Sequence, residues 1–352
     1  MFPLRIAQVA PLFESVPPQA YGGTERVVDF LTEELVAMGH DVTLFASGDS
    51  KTSARLVPCC EHSLRTDPNC KDPIAYHMVM LDMLAKRRDD FDIIHFHIDY
   101  LHFPLSRVLG WPQLTTLHGR LDLPDLAPIY QQFRDTPLVS ISDSQRAPVP
   151  QANFVATVHH GLPVDLLKFS PEGGDYFAFL GRISPEKRVD RAIEIAIALN
   201  VPLKIAAKLD KADREYHESG IVHLLEHPLV EFVGEIGDDQ KSEFLGKARA
   251  LLFPIDWPEP FGLVMIESMA CGTPVIAFRC GAVPEVLEDG VSGYVVDDMD
   301  AAIEAARKID ELSRFRVREA FDKRFTARRM AEDYVAIYRS LGIGENALRE
   351  SA

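Results

Sequence analysis

Short apolar runs alternate with longer amphipathic stretches from one end of the chain to the other. That alternation predicts βα units and a parallel sheet. In the first half the predicted strands are Arg5–Ala10, Asp41–Ala46, Ile93–Phe96, Leu114–Leu117, Leu138–Ile141 and Phe154–Val158. The spacing of Val27, Val28, Leu31, Leu35 and Met38 predicts a helix over Thr24–Met38, with Thr24 placed to cap its start and Gly39 to end it. The alternation restarts in the second half. Strands are expected at Tyr176–Leu180, Leu203–Ala206, Glu231–Val233, Ala250–Phe253, Val275–Ala277 and Tyr294–Val296. Helices are expected at Arg188–Leu199, Asp238–Ala248, Gly262–Ala270 and Ala301–Leu312.

Between the halves lies "FSPEGGDYF" (169–177), whose Pro171, Gly173 and Gly174 mark a connector. The expected class is therefore α/β, with two Rossmann-like, doubly wound domains over residues 1–170 and 171–326. A C-terminal segment, 327–352, carries a final helix over Ala327–Leu341; its return to the first domain is left open, and the closing "GENALRESA" reads as a frayed tail. Open α/β sheets bind ligands beyond the carboxyl ends of their strands. The expected site is the cleft that two such domains face, and the residues to examine are those just after strands.

Composition narrows the function. Hydrophobic residues make up 47% of the 352 and charged residues 26%, ordinary for a globular enzyme. The formal charge of −16, without a basic stripe, excludes a nucleic-acid binder and argues against docking on anionic lipid. No apolar run reaches the roughly 18 residues of a membrane span. The opening "MFPLRIAQVAP" reads as a strand and not a signal peptide, so a cytoplasmic protein is expected. Five cysteines, two of them adjacent and none in paired CxxC motifs, are expected to be reduced thiols.

Three stretches carry candidate chemistry. In "YGGTERVVDF", Gly22 and Gly23 precede a helix N-terminus, where backbone amides can approach an anion; taken alone, a flexible loop is the plainer reading. In "FLGRISPEKRVD", Arg182 and Lys187 flank a helix start for which Ser184 and Pro185 suit the first turn. A planar fork and a point charge can together hold a diphosphate, although two solvated cations remain the plainer reading of the pair by itself. In "LLFPIDWPEPFG", Glu259 lies in a loop with three prolines, Phe261 and Gly262 begin a helix, and Glu267 follows one to two turns in. Ionised carboxylates accept hydrogen bonds only, so two of them suit a ligand rich in hydroxyls.

These residues in this order resemble the GT-B glycosyltransferases, specifically the large retaining family 4. The resemblance spans essentially the whole chain. It includes Gly22–Gly23 after the first strand, His118–Gly119 in "TTLHGR", Ser140 and Ser142 in "VSISDSQ", and "HHGLPVD" with His160 in place of an Asn. It continues through Gly181, Arg182 and Lys187 of the phosphate motif, Glu259 and Glu267 of the E-x7-E motif, and the run over 272–293. The family's glycine after the motif lysine is Arg188 here.

The resemblance implies a role for each position. Arg182 and Lys187 would bind the donor diphosphate and offset charge on the leaving oxygen, and Glu259 would hold sugar hydroxyls. The amides of Phe261, Gly262 and Leu263 would face sugar and phosphate, and Glu267 would hold the ribose. His118 would sit beside the donor sugar, with His160 a further substrate-side candidate. Gly23 would admit the diphosphate, and the base would lie near Gly234–Gly237. The implied reaction is a metal-independent, same-face transfer from a nucleoside-diphosphate sugar to a hydroxyl acceptor, with no cofactor and with Glu259 positioning rather than attacking. The acceptor is expected near Asp99–His102 and Asp122–Tyr130. A sugar phosphorylase, a nucleotide-sugar epimerase and a non-catalytic sugar-nucleotide binder are the competing readings. Asp298-Met299-Asp300 and Asp90-Phe91-Asp92 fit a metal-binding string but read as capping or surface acids, and His95 and His97 as a strand-end pair.

Overall fold

The computed structural model describes residues 2–19, 22–209 and 213–341, without the side chain of Ser219. The segment expected to fray, 344–352, lies outside the described residues. Contacts divide the chain into two compact units, Met1–Gly161 with Ala327–Ala352, and Leu162–Thr326. The division falls upstream of the 170/171 boundary expected from composition. Leu162 donates its N–H to Phe325 O at 2.9 Å, and Ser170 to Cys271 O at 3.0 Å, so this stretch packs with the second unit.

Among the described residues the first unit holds seven parallel strands. They are β1 (Arg5–Val9), β2 (Asp41–Ala46), β3 (Arg55–Pro58), β4 (Ile93–Phe96), β5 (Gln113–Thr116), β6 (Leu138–Ser140) and β7 (Phe154–Thr157). Their order is β3-β2-β1-β4-β5-β6-β7. Central strands are buried on both faces, which is why β1 and β4 read as nearly continuous apolar runs. Strand β3 escaped the sequence reading. It is a four-residue edge strand, half exposed and ending in proline, so it lacks the apolar signature of the others. The helix after β1 spans Gly23–Ala37 with Gly22 as its N-cap. Thr24 is therefore inside the first turn and does not cap it, correcting the expectation; Gly39, at φ 87°, does end it.

The second unit holds, among the described residues, six parallel strands: β8 (Tyr176–Arg182), β9 (Leu203–Lys208), β10 (Val230–Gly234), β11 (Ala248–Phe253), β12 (Val275–Phe278) and β13 (Gly293–Val296). Their order is β10-β9-β8-β11-β12-β13. Phe177, Phe179, Ile193, Leu203, Ile205, Leu252 and Ile276 pack its core. Both sheets reverse strand order once, at β1/β4 and at β8/β11. At such a point the connections leaving two neighbouring strands run to opposite faces and leave a crevice beyond their carboxyl ends. The helix Ala327–Ser340 belongs to the first unit, where Tyr334 and Tyr338 are fully buried. All five cysteines are unpaired.

Candidate active site

Strands β8 and β11 flank the reversal in the second unit, and each is followed by a segment rich in charge. After β8, Ser184 and Pro185 do not open the helix as the sequence suggested. Pro185–Lys187 form a separate 3-10 turn, Arg188 adopts a left-handed conformation at φ 52° and ψ 52°, and the helix begins at Val189. After β11, residues 254–262 run as an irregular loop into the helix Leu263–Ala270.

The two segments meet. Lys187 Nζ forms an ion pair with Glu259, and Trp257 Nε1 donates to the same carboxylate oxygen at 2.9 Å. The ammonium also lies 5.2 Å from the Trp257 ring and 5.7 Å from that of Phe253. The Lys187 and Glu259 side chains are only 16% and 14% exposed, so water screens the pair poorly. Arg182, the last residue of β8, donates to Glu186 at 2.7 Å and to Asp213 at 3.4 Å. Each candidate phosphate-binding cation thus has a carboxylate partner, with which an anionic ligand would compete.

The loop is held from both sides. Asp256 N–H donates to Glu186 O and Ala282 N–H to Glu259 O, each at 2.9 Å. Gly281, at φ 56°, makes this closeness possible; a Cβ there would fall 2.3 Å from Glu259 N. The next glycine, Gly262, caps the helix at φ 85°, where a Cβ would come within 2.8 Å of Met265 Cε. The chain therefore turns sharply into Leu263–Ala270, and the helix N-terminus, with its orphan amides and favourable dipole, follows directly on Glu259. Phe261 is 2% exposed, its ring edge-on to Phe325 at 6.1 Å, so its side chain is core and any ligand contact falls to its backbone.

Glu267 lies farther along that helix, 4% exposed. It accepts from Lys241 Nζ at 2.7 Å, and Lys241 also pairs with Asp238 at 3.1 Å. Lys241, on the helix Asp238–Gly246, was missed because "DDQK" reads as an ordinary solvated helix start. Gly234 closes β10 at φ 80°. That strand is at the sheet edge, separated from β8 by β9. The structure thus brings Lys187 directly onto Glu259 and sets Arg182 beside Glu186 of the same turn, while Glu267 belongs to a separate pair on the helix that Glu259 leads into.

In the first unit Gly22 and Gly23 follow β1 as expected. Gly22 is extended, and what requires a glycine there is space: a Cβ would meet Pro18 Cβ at 2.7 Å. A buried polar chain follows β4 and β5. Tyr338 OH bonds His95 Nδ1 at 2.8 Å, and His95 Nε2 bonds Thr116 at 2.7 Å. With Gln8 oriented to donate to Tyr338, its Oε1 accepts from His97 Nε2–H at 2.8 Å. His97 Nδ1 then accepts from His118 Nε2–H at 2.9 Å, which leaves the lone pair of His118 on Nδ1. That atom is buried and has no hydrogen-bond partner among the described residues. His160 stacks on His118 at 5.3 Å and 18°. Burial holds His95, His97 and His160 well below the usual imidazole range and pushes His118 down to about 3, so the cluster is neutral.

In each metal-like string one acid is engaged elsewhere. Asp298 caps the helix Met299–Arg307 through Ala301 N–H at 2.8 Å, and Asp92 pairs with Arg5 at 2.7 Å. No cluster of metal-ligating side chains occurs among the described residues, and no described helix is long and apolar enough to cross a membrane.

Comparison with known proteins gives two matching family models, Glycosyltransferase Family 4 over residues 21–201 and Glycosyl transferases group 1 over residues 168–326. The phosphatidyl-myo-inositol mannosyltransferase of Mycobacterium leprae is 26% identical over 334 residues, covering 85% of each chain. The N-acetyl-alpha-D-glucosaminyl L-malate synthase of Bacillus anthracis is 24% identical, covering 90% of this chain and 93% of its own. Among solved structures, AviGT4, a glycosyltransferase involved in avilamycin A biosynthesis, superposes with a TM-score of 0.73 at 24% identity, covering 97% and 99% of the two chains. Anabaena HepE in complex with UDP and glucose gives 0.72 at 16% identity, covering 96% and 100%. At these identities the structural likeness speaks for the fold.

Proposed function

Since this chain belongs to glycosyltransferase family 4 and is a sugar-transferring enzyme of the GT-B fold, we propose that its donor is a nucleoside-diphosphate sugar, its acceptor a hydroxyl group, and its stereochemical outcome retention. The observation that carries this reading is the meeting of Lys187 and Glu259 at the β8/β11 reversal, directly before a helix N-terminus. A diphosphate needs fixed positive charge, a sugar needs hydrogen-bond acceptors, and this point of the sheet supplies both from adjacent strands.

In the proposed reaction the bond from the anomeric carbon to the diphosphate oxygen breaks. The acceptor oxygen bonds to the same face of that carbon, and its proton passes to the departing phosphate. Lys187 and Arg182 offset the charge growing on the leaving oxygen, so no metal ion is required. Glu259, tied to Lys187 and Trp257, orients sugar hydroxyls and does not attack. Glu267 accepts from the ribose beside Lys241, and neutral His118 accepts a hydrogen bond from a substrate hydroxyl at Nδ1, with no proton transferred to it. Anabaena HepE, with the same fold, was solved with UDP and glucose, which supports this donor class.

The test is a panel of UDP-, GDP- and ADP-sugars with simple hydroxyl acceptors, following nucleoside diphosphate release, with the anomeric configuration of product read by the proton coupling at C1. Release of nucleoside diphosphate with an unchanged anomer is expected. Sugar phosphate formed only with added inorganic phosphate would instead identify a phosphorylase, and an inverted product would remove the same-face step.

A further inference from the structure

Arg188 stands where the backbone asks for glycine. At φ 52° and ψ 52° it is one of three non-glycine residues with positive φ among those described, and its neighbours Asp99 and Asn200 in that set are the short polar types that tolerate the conformation. A long, branched-headed side chain at such a position is retained at a conformational cost unless its head group does something. The head group is fully engaged. Arg188 Nη1 bonds Asp256 Oδ2 at 2.8 Å, and its Nε and Nη2 bond Asp190 at 3.1 and 2.8 Å. Asp190 and Asp256 together raise the guanidinium pKa, mainly through the hydrogen bonds it donates to Asp190.

The two partners lie on different segments. Asp190 is in the first turn of the helix Val189–Leu199 that follows the Lys187 turn; Asp256 lies in the loop that carries Trp257 and Glu259. Arg191, one residue past Asp190, reinforces the second contact at 3.2 Å from Asp256 and 3.4 Å from Pro254 O. Beside these, the Lys187–Glu259 ion pair and the backbone bond from Asp256 N–H to Glu186 O also join the two segments. We propose that Arg188 is a positioning residue. Its guanidinium fixes the Asp256–Glu259 loop against the Lys187 turn, so that the carboxylate serving the sugar and the ammonium serving the diphosphate keep one spacing. A glycine at this position would relax the backbone and release the loop.

This inference rests on the donor-site reading above, and its test has one arm that does not. The variants are Arg188→Gly, Arg188→Lys, Asp256→Asn and the double change Arg188→Gly with Asp256→Asn. Amide hydrogen exchange over residues 256–259, read by mass spectrometry on the full chain, is expected to accelerate about tenfold in Arg188→Gly and in Asp256→Asn. Unchanged exchange overturns the proposal whatever the donor proves to be. In turnover with the donor found by the panel, Arg188→Gly is expected to lower kcat about tenfold with nucleoside diphosphate affinity held within about threefold. Its melting temperature should stay within about 2 °C of the parent, because relief of the left-handed strain offsets the lost ion pair. Arg188→Lys should restore part of kcat, and the double variant should be no worse than the worse single one. A wild-type kcat in Arg188→Gly, or double-variant losses equal to the product of the singles, overturns the positioning role. A parent enzyme that releases no nucleoside diphosphate, combined with accelerated exchange in the variants, removes the donor reading and leaves the tether standing.

Discussion

Glu259 faces two tasks that pull against each other, and a glutamine separates them. In the structure its carboxylate holds Lys187, while Trp257 Nε1 donates to the same oxygen. A diphosphate that recruits Lys187 must weaken that pair. A hydrogen bond to a charged partner contributes about 1.5–3 kcal/mol net. Glutamine keeps the volume and an oxygen for Trp257, and the two rings at 5.2 and 5.7 Å still favour the ammonium by about 0.5–1 kcal/mol. Only the charge competition is removed. If half of it returns to the ligand, about 0.75–1.5 kcal/mol, Glu259→Gln binds free UDP, GDP or ADP about 4- to 13-fold more tightly than the parent. Lys187→Ala moves the other way, by a similar factor or more, because it deletes a cation and leaves the carboxylate facing the phosphates. Turnover falls in both: about 10²–10³-fold in Lys187→Ala from lost stabilisation of the leaving group, and in Glu259→Gln because the sugar loses an ionic acceptor. Calorimetric titration at two salt concentrations measures the affinities. If Glu259→Gln weakens nucleoside diphosphate binding as Lys187→Ala does, the competition argument is wrong.

Other consequences are open to measurement. Glu267→Ala should raise the donor KM about 10–100-fold with a small effect on kcat and should erase any preference for ribose over 2′-deoxyribose donors; retained preference removes the ribose role. The first unit should lose stability in mild acid. Burial depresses the folded-state pKa of His95, His97, His160 and His118, the last to about 3, while the unfolded chain binds protons from about pH 6.5 downward. The unfolded state then holds more protons, so stability falls as pH drops through the window from about 6.5 towards 3, by about 1.4 kcal/mol per pH unit for each such histidine. Denaturant midpoints that stay flat between pH 7 and 5.5 would contradict this. Arg314 donates to the carbonyls of Ser170, Gly246 and Ala248 at 2.8–3.0 Å and to Thr273, so Arg314→Ala should cost about 2–4 kcal/mol in thermal or denaturant unfolding while leaving the donor KM unchanged.

Strands were readable wherever burial on both faces left an apolar run, as in β2 and β4, whose limits coincide with those expected. Strand β3 was not, because an edge strand answers to pairing and not to burial. Helix ends were blurred for a related reason. Thr24 and Ser184–Pro185 have the chemistry of caps, yet the chain enters its helices at Gly22 and through the left-handed Arg188, since backbone direction was set by what each loop had to approach. In the site, Arg182, Lys187, Glu259 and Glu267 stood out by type and order. Lys241, Trp257, Asp256 and Gly281 did not, because nothing in their local sequence announces a partner many residues away.

Residue type and order along the chain settled the class of this protein: two parallel α/β units, a run of motifs shared with sugar-transferring enzymes, and a short set of charged residues just past strand ends. Those features are local, or periodic, and periodicity survives in one dimension. The folded chain decided which charges neutralise which: that Lys187 rests on Glu259, that Lys241 guards Glu267, and that Arg188 bends the wrong way to reach Asp256. Pairing depends on distance in space, which strand order at the β8/β11 reversal sets and linear spacing does not.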